Sequence, residues 1–225
     1  MRLGLTTTLE RIHTLQEGVS LLGFEPIALP CIRVDTAPDG ANQLAAVDAD
    51  ALVVTSARAA SLLLREELPP IPIVAVGPET ATTFEKAGTT VAWVGSGGVR
   101  EIALDARHLL SGRNVLLAGA ANTSRENAAV LEMAGGSVTR VELYTTVPVA
   151  PEGDPVDAVV FGSPTAVTGW FMSRQLQDLV IGAIGPTTAA ALGDHDVIPD
   201  VVPDRPGFMR TIEQLAALRP ERSTQ

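Results

Sequence analysis

The feature that most restricts the fold of this chain is internal repetition. Ala51-Leu52-Val53-Val54-Thr55-Ser56-Ala57-Arg58-Ala59 is matched in character by Asp157-Ala158-Val159-Val160-Phe161-Gly162-Ser163-Pro164-Thr165-Ala166. Ala75-Val76-Gly77-Pro78-Glu79-Thr80-Ala81 is matched in the same way by Ala183-Ile184-Gly185-Pro186-Thr187-Thr188-Ala189. Ser56 and Gly77 lie 21 positions apart, and Ser163 and Gly185 lie 22 apart. Arg2 to Gly23 and Asn114 to Gly135 form a third matched pair. One short motif could recur by chance; several in fixed order point to duplication of a supersecondary unit.

Each copy alternates short apolar runs with helical patterns. Ala51 to Thr55, Ile71 to Val76, Thr90 to Val94, Val115 to Ala118, Ala158 to Phe161 and Val180 to Ile184 read as buried strands. Leu9, Ile12, Leu15, Val19 and Leu22 recur at helical spacing, and Thr7 with Glu10 predicts a capping box at that helix's start. Strands alternating with helices predict an α/β fold of two similar lobes, each a parallel sheet flanked by helices.

The repeated motifs place Ser56, Gly77, Ser163 and Gly185 between a strand and a helix. Serine is a good N-cap, and Pro78, Pro164 and Pro186 fall at the first helical position, where a missing N–H costs nothing. Helix starts present free N–H groups and a partial positive charge, suited to carboxylates or phosphates. In an open parallel sheet they lie at the carboxyl ends of the strands, where ligands bind. Any one such turn is most simply a cap; the same pair in both halves favours binding. Ser56, Ala57, Arg58, Gly77, Thr80, Ser163, Pro164, Thr165, Gly185, Thr187 and Thr188 are therefore the candidate ligand positions.

Composition excludes other classes. The net charge is −10 without a run of Lys or Arg, and aromatic residues make up 4%, which argues against phosphate tracking and base stacking. A hydrophobic content of 46% supplies a core, yet no apolar run is long enough to span a membrane. Cys31 is the only cysteine, so no internal disulfide or Cys-based zinc site is expected, and it reads as a small buried residue. His13, His108 and His195 show no metal spacing, and no nucleotide-binding glycine loop is present. Gly95-Ser96-Gly97-Gly98 reads as a flexible turn before a helix. Met1 to Glu10 lacks the pattern of a signal peptide, and these features together predict a cytoplasmic protein.

VVFGSPTAV and AIGPTTAAAL, within Asp157 to Leu192, resemble the uroporphyrinogen-III synthase family, whose second half reads strand, Gly/Thr-Ser-Pro-Ser/Thr-Ala-Val, then Ile-Gly-Pro-Thr-Thr-Ala. Val141-Glu142-Leu143-Tyr144-Thr145-Thr146-Val147-Pro148 resembles the family's Val-x-x-Tyr-x-Thr-x-Pro strand, and VVTSARAA and VAVGPETA match its first half more loosely. The resemblance implies a two-stranded antiparallel linker between the lobes. Residues 1–30 with 150–221 would form one lobe and 36–141 the other, joined by 31–35 and 142–149, with 222–225 as a tail. It implies that a linear tetrapyrrole, the octacarboxylate hydroxymethylbilane, is closed into uroporphyrinogen III with loss of water and inversion of ring D. It further implies a monomer, no cofactor or metal, and transient handover of the bilane from hydroxymethylbilane synthase. Tyr144, the single tyrosine, would be the general acid, and Thr6 a substrate-binding residue.

Two positions depart from the family pattern. Thr6-Thr7-Thr8 stands where the family usually has Thr-Arg-Pro, and Ala118-Gly119 stands where a basic residue follows the corresponding strand. Arg58 occupies the usual Asn position and offers one cation in return. A non-catalytic tetrapyrrole-binding module is the alternative that these losses suggest.

Overall fold

The computed structural model describes residues 1–37, 44, 47–96 and 98–218; the proposed tail lies outside them. The chain divides into two compact units, Met1–Val34 with Val147–Gln225, and Asp35–Thr146. Each is an α/β unit.

The first unit is built on a four-stranded sheet. Its strands are β1 (Arg2–Leu5), β2 (Glu25–Ala28), β9 (Ala158–Phe161) and β10 (Val180–Ala183), in the order β10-β9-β1-β2. All its pairings are parallel, with Leu3 opposite both Pro26 and Ala158. Helices cover both faces, so β9 is buried along its whole length. Val159 and Phe161 point into the core beneath α6 (Pro164–Phe171) and α7 (Pro186–Gly193). Ala158 and Val160 point to the opposite core, with Ile12, Leu15 and Val19 of α1 (Leu9–Leu21) and Ile212 and Leu215 of α8 (Phe208–Ala217). The α1 cap lies one residue later than the sequence suggests. Thr8, in extended conformation, accepts from the Arg11 N–H at 3.3 Å, and Leu9 is left half exposed.

The second unit has a six-stranded sheet in the order β3-β8-β7-β4-β5-β6. Its members are β3 (Ile32–Thr36), β4 (Ala51–Val54), β5 (Ile73–Ala75), β6 (Trp93–Val94), β7 (Asn114–Ala120) and β8 (Ser137–Pro148). From β8 to β6 the neighbours are parallel. β3 is not: Ala37 donates to the Leu143 carbonyl and Val149 to the Cys31 carbonyl, each at 2.9 Å, which is an antiparallel register. The antiparallel pair expected as a separate linker is thus continuous with the parallel strands, which corrects the expectation that this unit's sheet is parallel throughout. The 12-residue β8 runs on past its parallel partner, and β3 hydrogen-bonds to that extension, so the sheet is mixed. Val94 is 41% exposed, so the run Thr90 to Val94 is a short edge strand and not a buried one.

The duplication is visible in topology. β10-β9-β1-β2 and β5-β4-β7-β8 follow the same order, with the two chain segments exchanged in sequence. Gly23 and Gly135, both at positive φ, end the matched helices α1 and α5 (Ala121–Met133). Val201, in a parallel bridge with Gly182, stands beside β10 as β6 stands beside β5. Among the described residues no helix is long and apolar enough to cross a membrane.

Candidate active site

Both sheets feed helices from the carboxyl ends of adjacent strands. In the second unit β4 runs into Ser56 and α2 (Ala57–Leu63), and β5 into Gly77 and α3 (Pro78–Lys86). In the first, β9 runs into Ser163 and α6, and β10 into Gly185 and α7. Ser56 Oγ accepts from the Ala59 N–H at 3.0 Å, and Ser163 Oγ from the Ala166 N–H at 3.1 Å. Gly77 and Gly185 cap without a side chain, followed by Pro78 and Pro186. The first-turn N–H groups at these glycine caps are not met by a capping side chain.

The candidate residues differ in accessibility. Thr80 and Thr188 are 3% and 1% exposed, and among the described residues their hydroxyls meet no hydrogen-bond partner. Thr6 is fully buried and donates to the Val160 carbonyl at 2.8 Å, tying β1 to β9. Pro164 and Thr187 are exposed; Ser56, Ala57, Arg58, Ser163 and Thr165 are half-buried.

Of these residues, the structure joins Ser56 and Tyr144. Their oxygens lie 2.9 Å apart, and either can donate. Ser56 Oγ already accepts from Ala59, which leaves its own hydrogen available for Tyr144 Oη. Tyr144 reaches this position through a register shift. Gly119 lies opposite Glu142 but Ala120 lies opposite Tyr144, so Leu143 is an extra residue in β8. Consequently Leu143 and Tyr144 are both buried, against the alternation of a regular strand. Just beyond, Asn122 clamps β8 by bonding Thr146 twice: its Nδ2 donates to the carbonyl at 3.1 Å and its Oδ1 accepts from the N–H at 2.9 Å.

Tyr144, 9% exposed, lines a cavity of about 290 Å³ with Thr55, Val76, Gly98, Val99, Ala120, Thr123, Glu126 and Asn127. Beside Tyr144 of β8, these residues come from the ends of β4, β5 and β7, the start of α4 (Val99–Asp105) and the first two turns of α5. Sequence reasoning missed Glu126, Thr123 and Asn127, whose spacing along α5 puts them on one face, and it read the loop before α4 as merely flexible. Gly97 of that loop lies outside the described residues, but Ser96 is tied: it donates to the Glu101 carboxylate from both its N–H and its Oγ, each at 2.7 Å. Those two bonds hold the Glu101 carboxyl below the usual carboxylate range.

Gly119 shows why a long side chain is missing near the end of β7. A Cβ there would overlap Thr55 Oγ1, beside the cavity. Arg58 does not line this cavity. Cys31 is fully buried, and burial pushes its thiol up to about 12, against an opposing pull from Arg174. Among the described residues no group of three or more His, Cys, Asp and Glu is arranged to hold a metal.

The family model of uroporphyrinogen-III synthase HemD matches residues 13–213. The wild-type uroporphyrinogen III synthase of the extremely thermophilic bacterium Thermus thermophilus is 20% identical, with 96% of this chain and 97% of that one covered at a TM-score of 0.54. A mutant form of the Thermus protein gives 20% identity, 95% and 96% coverage and a TM-score of 0.64. Uroporphyrinogen-III synthetase from Helicobacter pylori gives 18% identity, 97% and 100% coverage and a TM-score of 0.68. At these identities the solved structures speak for the fold. No curated protein matches the sequence.

Proposed function

Since the chain belongs to the uroporphyrinogen-III synthase family, we propose that the Ser56–Tyr144 pair and the helix starts of its two units perform that family's reaction. The protein is a lyase of tetrapyrrole (haem) biosynthesis that cyclises hydroxymethylbilane to uroporphyrinogen III, with loss of water and inversion of ring D. The proposal concerns which residues act, and the 2.9 Å contact between Ser56 and Tyr144 at the cavity is the observation that carries it.

The first step breaks the C–O bond of the terminal hydroxymethyl group. The pyrrole nitrogen pushes, oxygen leaves with the electron pair, and Tyr144 gives that oxygen a proton to form water. Ser56, held by the Ala59 N–H, donates to the phenolate that remains. Ring D attacks the resulting azafulvene cation through its substituted carbon. The spiro intermediate fragments and recloses at the unsubstituted carbon, and the proton lost there restores the phenol. No electrons pass to or from an external acceptor, so the chain must supply only protons and positions.

Without positioning, the bilane closes to the uninverted isomer. The helix starts at Gly77, Ser163 and Gly185, with Ala57, Thr165 and Thr187 in the first turns, bind substrate carboxylates through backbone N–H groups in this reading, and Pro164, which has no N–H, presets the first turn of α6 beside them. The buried hydroxyls of Thr80 and Thr188 are further donors in the same turns. Thr6 braces the strand end, and Arg58 adds a cation in the first turn of α2. Residues 1–30 with 150–221 then serve as one lobe and 36–141 as the other, with 31–35 and 142–149 connecting them. We further read the enzyme as a cytoplasmic monomer that receives its bilane in transient handover from hydroxymethylbilane synthase.

The test is turnover of hydroxymethylbilane by the purified protein, scored by isomer. Type III product is expected. A mixture equal to the spontaneous type I background would overturn the enzyme reading in favour of a tetrapyrrole-binding module.

A further inference from the structure

Among the described residues, the lining of the cavity beside Tyr144 holds one charged side chain, and it is an acid, Glu126. That is unexpected for a site meeting an octacarboxylate. We infer that Glu126 holds the N–H edge of the pyrrole ring that loses hydroxide, and so fixes which ring edge enters the cavity. The assignment rests on the reading of Tyr144 as the acid.

A cavity of about 290 Å³ is at the lower limit for a small-molecule site, which suits one substituted ring and not a tetrapyrrole. A pyrrole ring has two unlike edges. One carries the acetate and propionate carboxylates; the other carries the N–H, which becomes positive as the C–O bond breaks. A wall with a carboxylate and, among the described residues, no Lys or Arg repels the first edge and accepts a hydrogen bond from the second. Its attraction grows as the cation forms, so it favours the transition state over the bound substrate. Thr123, one turn before Glu126, and Asn127, one turn after Thr123, add neutral polar groups to that wall.

The duplicated unit supplies a contrast. Glu126 stands nine residues before Gly135, and Thr14 stands nine before Gly23. Thr14 donates to the Arg11 carbonyl within its own helix. Gly98 and Gly207 cap matching helices, but the next residue is Val99 in one and Phe208 in the other. The Phe208 ring lies so close to Gly162 that a Cβ there would overlap it. In the second unit, Thr55 takes the place of Gly162, and Thr55 and Val99 both line the open cavity. Bulk at Phe208 fills in one copy the space that the other copy leaves beside an acid.

Glu126 is exposed on a helix, and Gln has nearly the same helix propensity, so Glu126→Gln should fold normally. Steady-state kinetics on hydroxymethylbilane should show kcat reduced roughly tenfold to a hundredfold, the loss of one charge-assisted hydrogen bond. KM should stay level or fall, because a like charge is removed from a polyanion's site. Glu126→Asp should recover part of kcat at an unchanged melting temperature. An unchanged kcat for Glu126→Gln, a loss carried by KM alone, or a loss that tracks melting temperature would overturn the assignment while wild type still forms the type III isomer. If wild type itself forms none, the reading of the site fails, and this assignment with it.

Discussion

Tyr144 and Ser56 have separable roles that substitution can resolve. Tyr144→Phe removes one hydroxyl and keeps the ring that packs in β8, so the fold should be unchanged. Turnover should fall by about a hundredfold or more, within the range for general acid catalysis, with a smaller change in KM. Ser56→Ala removes the cap as well as the partner of Tyr144, so it should reduce both turnover and stability, the latter by about 1 kcal/mol. Parallel kinetics and denaturant unfolding check the pair: wild-type turnover in Tyr144→Phe at equal folded concentration would remove the phenol from the mechanism. At this scale the sequence located Ser56 well, because a cap depends on residues within one turn. It held no sign of Glu126, an ordinary polar residue on an amphipathic helix until the strand ends around it are known.

Among the elements, β8 and α6 show how the backbone sets the site. The extra residue Leu143 in β8 brings Tyr144 opposite Ala120 and inward. A run such as VELYTTVP contains no local signal for that shift, since both registers suit its side chains. α6 packs at short range on the antiparallel pair it covers: a Cβ on Gly169 would overlap the Cys31 carbonyl and come within 2.7 Å of that of Val149. Both obstacles are backbone, and they belong to a hydrogen-bonded pair, so neither can yield easily. Gly169→Ala should destabilise the protein by about 1–3 kcal/mol, measured as a lower denaturant midpoint at unchanged slope. Midpoints equal within error would mean that α6 can shift at no cost.

Across the whole molecule, net charge opposes the task. A protein of charge −10 must meet an octacarboxylate, and the helix-start amides act only over the last few ångströms. The global field therefore slows encounter. Raising ionic strength toward about 0.15 M, where the Debye length is about 8 Å, should increase kcat/KM. A steady fall with salt, measured at constant pH, would show instead that a local cationic surface governs approach. Duplication is the other property of this scale. Two units of common strand order carry different fillings at matched places, Phe208 in one and Val99 in the other. The sequence repeat disclosed the duplication but not this divergence.

What the sequence determined by itself is what local physics controls. Burial of both faces makes short apolar runs into strands, and Ser or Gly followed by Pro starts a helix at their ends. The repeat then requires two units with like topology. Tertiary structure decided the rest, because each remaining feature depends on residues distant in the chain. Tyr144 meets Ser56 across 88 positions, through a bulge whose register is set by pairing with β7. The mixed sheet arises where β3 meets the extension of β8, and the cavity beside Glu126 exists because small residues from three strands and two helices converge there. Chemistry at a point in space needs such convergence, and one-dimensional spacing does not record it.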